Sequence, residues 1–77
     1  MGRLPVISGR RVVRALERAG YAVDRQRGSH IVLRHSLPPH RRVVVPDHRE
    51  VARGTLRAIL RHAGLSVEEF RALLQPA

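Results

Sequence analysis

Seventy-seven residues make a single domain, and the chain is too short for a second core of useful size. Fifteen basic residues, every one an Arg, stand against six acidic ones, and the net charge of +9 points to phosphate or another acidic partner rather than a neutral metabolite. With no Cys there is no disulfide framework, thiolate zinc site or thiol nucleophile, and no apolar run, Val43–Val45 included, approaches the ~20 residues that cross a bilayer.

Leu4-Pro5-Val6-Ile7, behind Met1-Gly2-Arg3, is too short for a signal-peptide core, so a soluble, cytoplasmic chain is expected, with no membrane partner. One Phe, one Tyr and no Trp require a small aliphatic core. Ser8 can cap a first helix in which Val12, Val13, Leu16 and Ala19 recur at helical spacing until Gly20 stops it. Arg10, Arg14 and Arg18, spaced by four, line up as a basic ridge on its other face. From Tyr21 the period changes to two, with Tyr21 and Val23 on one side of a strand and Asp24 and Gln26 on the other. Arg27-Gly28 fits a two-residue hairpin turn, because Gly accepts the positive φ such turns need. A second strand, Ser29 to His35, turns Ile31 and Leu33 to the core and His30, Val32 and Arg34 away from it.

Leu37-Pro38-Pro39-His40 reads as a loop, and Arg41 to Val45 as a third strand closed by Pro46. Asp47 to Arg53 is polar, a connecting loop or a frayed turn. Gly54-Thr55 reads as a helix start with Thr55 as cap, Leu56, Ile59, Leu60 and Ala63 as the apolar stripe, and Gly64 as the end. Ser66 and Glu69 then form a capping box, with Leu65 and Phe70 placed for a hydrophobic staple and Leu73 and Leu74 on the buried side. The expected architecture is α+β: a helix, a three-stranded antiparallel sheet, and one or two C-terminal helices packed on the same sheet face. That order is also the order of the double-stranded-RNA-binding domain. The other sheet face is left open and carries His30 and Arg34, with Val32 and either Val44 or Arg42.

His30, just past a glycine turn and facing away from the core, is the candidate for proton transfer, and Arg34 on the same face can neutralise a phosphate. His35, His40, His48 and His62 match no metal-binding spacing, so no metal site is expected; His62 instead suits the last turn of a helix. The two C-terminal helices around Gly64-Leu65 also have the look of a helix-turn-helix, but Glu68 and Glu69 at the head of the second would face DNA unfavourably.

Gly20-Tyr21, Gly28-Ser29-His30, Val45-Pro46-Asp47-His48 and Gly54-Thr55-Leu56-Arg57-Ala58-Ile59-Leu60, in that order and at those separations, resemble the HicA toxins, small messenger-RNA endonucleases of toxin-antitoxin pairs. The resemblance runs from the first helix to the Ala63–Ser66 turn. It implies a fold like the double-stranded-RNA-binding domain, RNA cleavage without metal or other cofactor, and dependence on the histidine of the Gly-Ser-His motif, here His30. It also implies neutralisation by a HicB antitoxin that covers the site, with any DNA contact made through that antitoxin. The Pro-x-His histidine of the family maps to His48, and Ser29, Arg34 and His48 are possible catalytic support, while Gly28, Gly54 and Thr55 are turn residues. This chain departs from many relatives in using Arg for Lys and in its Leu37–His40 loop.

On this reading His30 removes a proton from a ribose 2′-hydroxyl or donates one to the leaving oxygen, and the second proton carrier is water, His48 or nothing. Arg10, Arg14, Arg25, Arg27, Arg34 and Arg42 are the expected RNA contacts. Val32 reads equally as an ordinary strand former and as part of the antitoxin contact. The alternative function is a non-catalytic nucleic-acid-binding module, in which several arginines matter and His30 does not.

Overall fold

The computed structural model describes residues 4–75; the Met1-Gly2-Arg3 start lies outside the described residues. Ser8 caps as its position predicts: its Oγ accepts from the Arg11 N–H at 3.2 Å, and α1 runs Gly9–Arg18. Three strands follow, β1 (Tyr21–Arg27), β2 (His30–His35) and β3 (Arg42–Pro46), then α2 (Arg53–Ala63) and α3 (Val67–Leu74). Both strand pairs are antiparallel and the sheet order is β1-β2-β3, as hairpin-connected neighbours require. α1 packs on β1 and β3, α2 on β3, and α3 on α1, so among the described residues the helices cover the side of the sheet that buries Ile31, Leu33, Val43 and Val45 and leave Val44 on the other side exposed. This is the expected α+β arrangement, consistent with the double-stranded-RNA-binding-domain-like fold.

The covered side is aliphatic. Leu16, Ile31, Leu33, Val43, Val45 and Leu56 are fully buried together with Phe70, each contributing about 1.5–3 kcal/mol by leaving water. Leu4, Ile7 and Val51 join the same core; their isolated positions in irregular segments gave no periodic signal. Tyr21 is buried as well, and its hydroxyl donates to the Ala63 carbonyl at 3.0 Å, tying the start of β1 to the end of α2. Burial pushes its phenol pKa up, and the nearby positive charge of Arg41 opposes this in part. The C-terminal turn follows the sequence reading: Gly64 ends α2 at φ 73°, and Ser66 and Glu69 form the capping box at 2.8 and 3.0 Å. Glu69 is therefore spent on the helix end; Phe70 is buried and Leu65, Leu73 and Leu74 are partly buried against the core.

Four expectations need correction. The hairpin turn is Gly28-Ser29, not Arg27-Gly28: Arg27 pairs with His30, and Gly28 takes the positive φ of 54° at the first turn position. That placement favours glycine, as in type II′ hairpins. In β1 the pairing register shifts between Val23 and Arg25, a bulge that leaves Asp24 unpaired. Simple alternation therefore fails: Gln26 comes opposite Ile31 on the covered side, while Arg25 and Arg27 turn to the open side. Val23 lies opposite Leu33 but, on an edge strand, remains 46% exposed. Helix α2 starts at Arg53, with Ala52 as N-cap and no side-chain cap, so Gly54 and Thr55 lie within the first turn and Thr55 does not cap. A tertiary anchor sets that start: Val51 is buried, its N–H donates to the Ile7 carbonyl at 2.9 Å, and Leu56 N–H then reaches the Ala52 carbonyl at 2.8 Å. Finally, β3 begins at Arg42 and includes Pro46, which sits on the last position of the edge strand.

Candidate functional site

The open sheet face can be read row by row from the register, because directly opposite residues share a face with Cβ atoms about 5 Å apart. Arg27, His30 and Pro46 form the row at the hairpin end. Arg25, Val32 and Val44 form the middle row, and Ala22, Arg34 and Arg42 the far row. His30 is exposed, as alternation with buried Ile31 requires. Val44, 49% exposed, is the apolar centre of a face whose rim is arginine. Arg34 and Arg42 lie directly opposite each other, a like-charge pairing that costs stability unless an anion lies between or over them.

The nearest arginine to His30 across the strands is Arg27, directly opposite. Arg34 is on the same face but four residues further along β2, about 13 Å at strand rise. The two arginines therefore lie at opposite ends of the open face. Gly28 and Ser29 make the tight turn that presents His30, and the Ser29 carbonyl accepts the Asp47 N–H at 2.6 Å. This bond seats the Pro46-Asp47-His48 segment beside the turn. His48 is exposed, and its carbonyl accepts the Gly9 N–H at 2.9 Å, so its backbone joins the segment to α1.

The ridge expected on α1 is divided. Arg10 pairs with Asp47 at 2.9 Å and also bonds Gln26, so this arginine leans toward the hairpin end. That hydrogen bond, first among its causes, holds the Asp47 carboxyl below the usual carboxylate range. Arg18 donates to the Leu73 carbonyl at 3.0 Å and to the Gln75 carbonyl, where it satisfies the last turn of α3. Arg14 lines a cleft between α1 and α3 with Arg11, Leu73 and Leu74, among the helices rather than on the open sheet face that carries His30. Of the six expected RNA contacts, Arg25, Arg27, Arg34 and Arg42 share the open face, and Arg10 and Arg14 do not.

The remaining histidines have local work. His35 Nδ1 accepts the Leu37 N–H at 3.0 Å, which leaves Nε2 to donate to the Ala19 carbonyl at 3.0 Å, and its ring meets Tyr21 edge-on at 4.8 Å. His40 Nδ1 donates to the His35 carbonyl at 3.1 Å, shaping the Leu37–His40 loop. His62 lies in the last turn of α2, as expected. Among the described residues no three His, Asp or Glu side chains gather into a group able to hold a metal ion. Nor is any described helix long and apolar enough to cross a membrane.

Sequence reasoning missed three features of the site: the bulge, the Arg10–Asp47 pair and the close approach of Gly9 to Pro46, where an added Cβ would meet the Pro46 carbonyl oxygen at 1.9 Å. The last had a faint signal, a glycine directly after an N-cap serine, where a better helix former would otherwise serve. A family model described as the HicA toxin of bacterial toxin-antitoxin matches residues 9–65 of the 77, a span containing every residue of the open face. No curated protein matches the chain.

Proposed function

Because the chain belongs to the HicA toxin family of bacterial toxin-antitoxin systems, we propose that it is a ribonuclease that cuts messenger RNA at its open sheet face. The family carries an antitoxin partner with it; we assign that role to a HicB-type protein covering the same face. The observation that carries the reading is the surface itself. An exposed His30 stands at one end of a sheet face that also carries Arg27 beside it, Arg25 in the next row and Arg34 and Arg42 at the far end, with an apolar centre at Val32 and Val44. Four cations with no carboxylate in their rows suit a phosphodiester chain, and the like-charged Arg34–Arg42 pair is relieved when a phosphate binds.

In the proposed reaction His30 takes the proton of the ribose 2′-hydroxyl, whose oxygen attacks the adjacent phosphorus, and the bond to the 5′-oxygen of the next nucleotide breaks. Arg27, opposite His30, neutralises the crowded phosphate, and Arg34 and Arg42 hold a flanking one. The products are a 2′,3′-cyclic phosphate and a 5′-hydroxyl. The leaving oxygen takes its proton from water or from His48. No metal or other cofactor enters these steps.

The test compares wild type and His30→Ala on a long messenger RNA with EDTA present, after confirming that both are folded and bind RNA. Cleavage by the wild type alone, with cyclic phosphate ends, is the expected result; 5′-phosphate ends would eliminate the 2′-hydroxyl route. Intact binding without cleavage would favour a non-catalytic RNA-binding module.

A further inference from the structure

Two successive backbone links run from α1 to the turn that carries His30. Gly9 N–H donates to the His48 carbonyl at 2.9 Å, and a Cβ on Gly9 would meet the Pro46 carbonyl oxygen at 1.9 Å, so the first helical turn lies directly on segment 46–48. Asp47 N–H donates to the Ser29 carbonyl at 2.6 Å, fastening that segment to the residue before His30. Side chains then cross-brace the same place. Arg10 grips Asp47 with two bonds, Nε to Oδ1 at 3.1 Å and Nη2 to Oδ2 at 2.9 Å. Gln26 Nε2 divides itself between Asp47 Oδ2 at 3.2 Å and the Gly28 carbonyl at 3.0 Å.

Charge makes this arrangement informative. A carboxylate at the end of an arginine-rimmed face repels RNA, and an arginine bound to it is withdrawn from phosphate. Both costs are accepted at one point, beside the Gly28-Ser29 turn. The bulge in β1 belongs to the same device, since it turns Gln26 to the covered side, within reach of Asp47. A two-residue turn has no packing of its own, and a catalytic imidazole gains from being held within a fraction of an ångström.

We infer that Arg10, Gln26 and Asp47 are positioning residues, a clamp between α1 and the end of β3 that fixes the Gly28-Ser29 turn and with it His30, and that Arg10 is not a phosphate contact. The inference rests on the proposed role of His30 for its catalytic consequence and on geometry alone for its structural one. It is tested with the double variant Arg10→Ala/Asp47→Ala, which removes the pair without changing net charge, alongside Gln26→Ala and Arg10→Lys. Folding is checked by circular dichroism, and RNA affinity against salt is measured with His30→Ala added to stop cleavage. In the double variant kcat falls on the order of 10-fold or more, KM and the salt slope stay at wild-type values, and the amides of residues 30 and 47, the latter bonded to the Ser29 carbonyl, exchange hydrogen faster. Arg10→Lys, which keeps the charge but loses the two-bond fork, falls between it and wild type. A weakened affinity with a salt slope shallower by about one would make Arg10 a phosphate contact and overturn the inference. Unchanged exchange at residues 30 and 47 would overturn it too. Exchange needs no turnover, so if wild type cleaves no RNA the proposed reaction fails while the clamp is still judged by the amides.

Discussion

Along β2, Ile31 and Leu33 are 1% and 0% exposed and belong to the aliphatic core, while His30 and Arg34 on the other face stand in solvent among arginines. The covered face is defined by shape and apolar area, and the open face by charge and by what each side chain can reach. One strand of six residues thus carries two separable jobs, because side chains alternate with a period of two. Stability is expected to respond to one set of positions and RNA to the other.

The hardest test of that separation is Leu33→Ala. A cavity under the centre of the sheet costs about 2–5 kcal/mol, a large share of the stability of so small a domain, read from urea or thermal unfolding. His30→Ala on the same strand shifts the same midpoint by no more than about 0.5 kcal/mol; equal losses would break the comparison. Next in size are Arg34→Ala and Arg42→Ala. Each weakens RNA binding and makes the slope of log affinity against log salt shallower by about one. Arg57→Ala, exposed on α2, leaves that slope unchanged. Ser66→Ala then removes half of the α3 capping box and costs roughly 1 kcal/mol of stability with RNA affinity intact. The smallest effect belongs to pH. The Asp47 carboxyl is held below its ordinary range by Arg10, so its contribution is fully present above the unfolded value, near ~3.9. It is lost as pH falls through the lower folded value. Unfolding followed from pH 6 downward should show a small acid loss that Asp47→Asn abolishes and that added salt diminishes.

Much of the fold was legible because its signals are local. Ser8 and the Ser66–Glu69 pair announced two helix starts, Leu56, Ile59, Leu60 and Ala63 one apolar stripe, and Ile31 with Leu33 the buried side of a strand. The errors arose where a distant partner overrode local preference. Thr55 is a better cap than Ala52, yet the buried Val51 sets where α2 begins. Gly28-Ser29 replaced Arg27-Gly28 as the turn because the pairing of Arg27 with His30 fixes the register. At the candidate site, His30 and the face it occupies were readable from alternation, whereas the company it keeps was not. Arg25 and Arg27 reach that face only through the bulge, and Arg10 leaves the expected basic ridge for Asp47.

The class of the molecule can be read without coordinates: one small, arginine-rich α+β domain with a histidine on an exposed strand face and the motifs of a toxin family. Composition, caps and hydrophobic period act over a few residues and survive without knowledge of the fold. Which arginines share the open face with His30, and which are tied elsewhere, was settled by packing between distant segments. Those choices depend on one inserted residue at the bulge and on a pair 37 positions apart in the chain, Arg10 and Asp47, brought together when α1 settles on the end of β3.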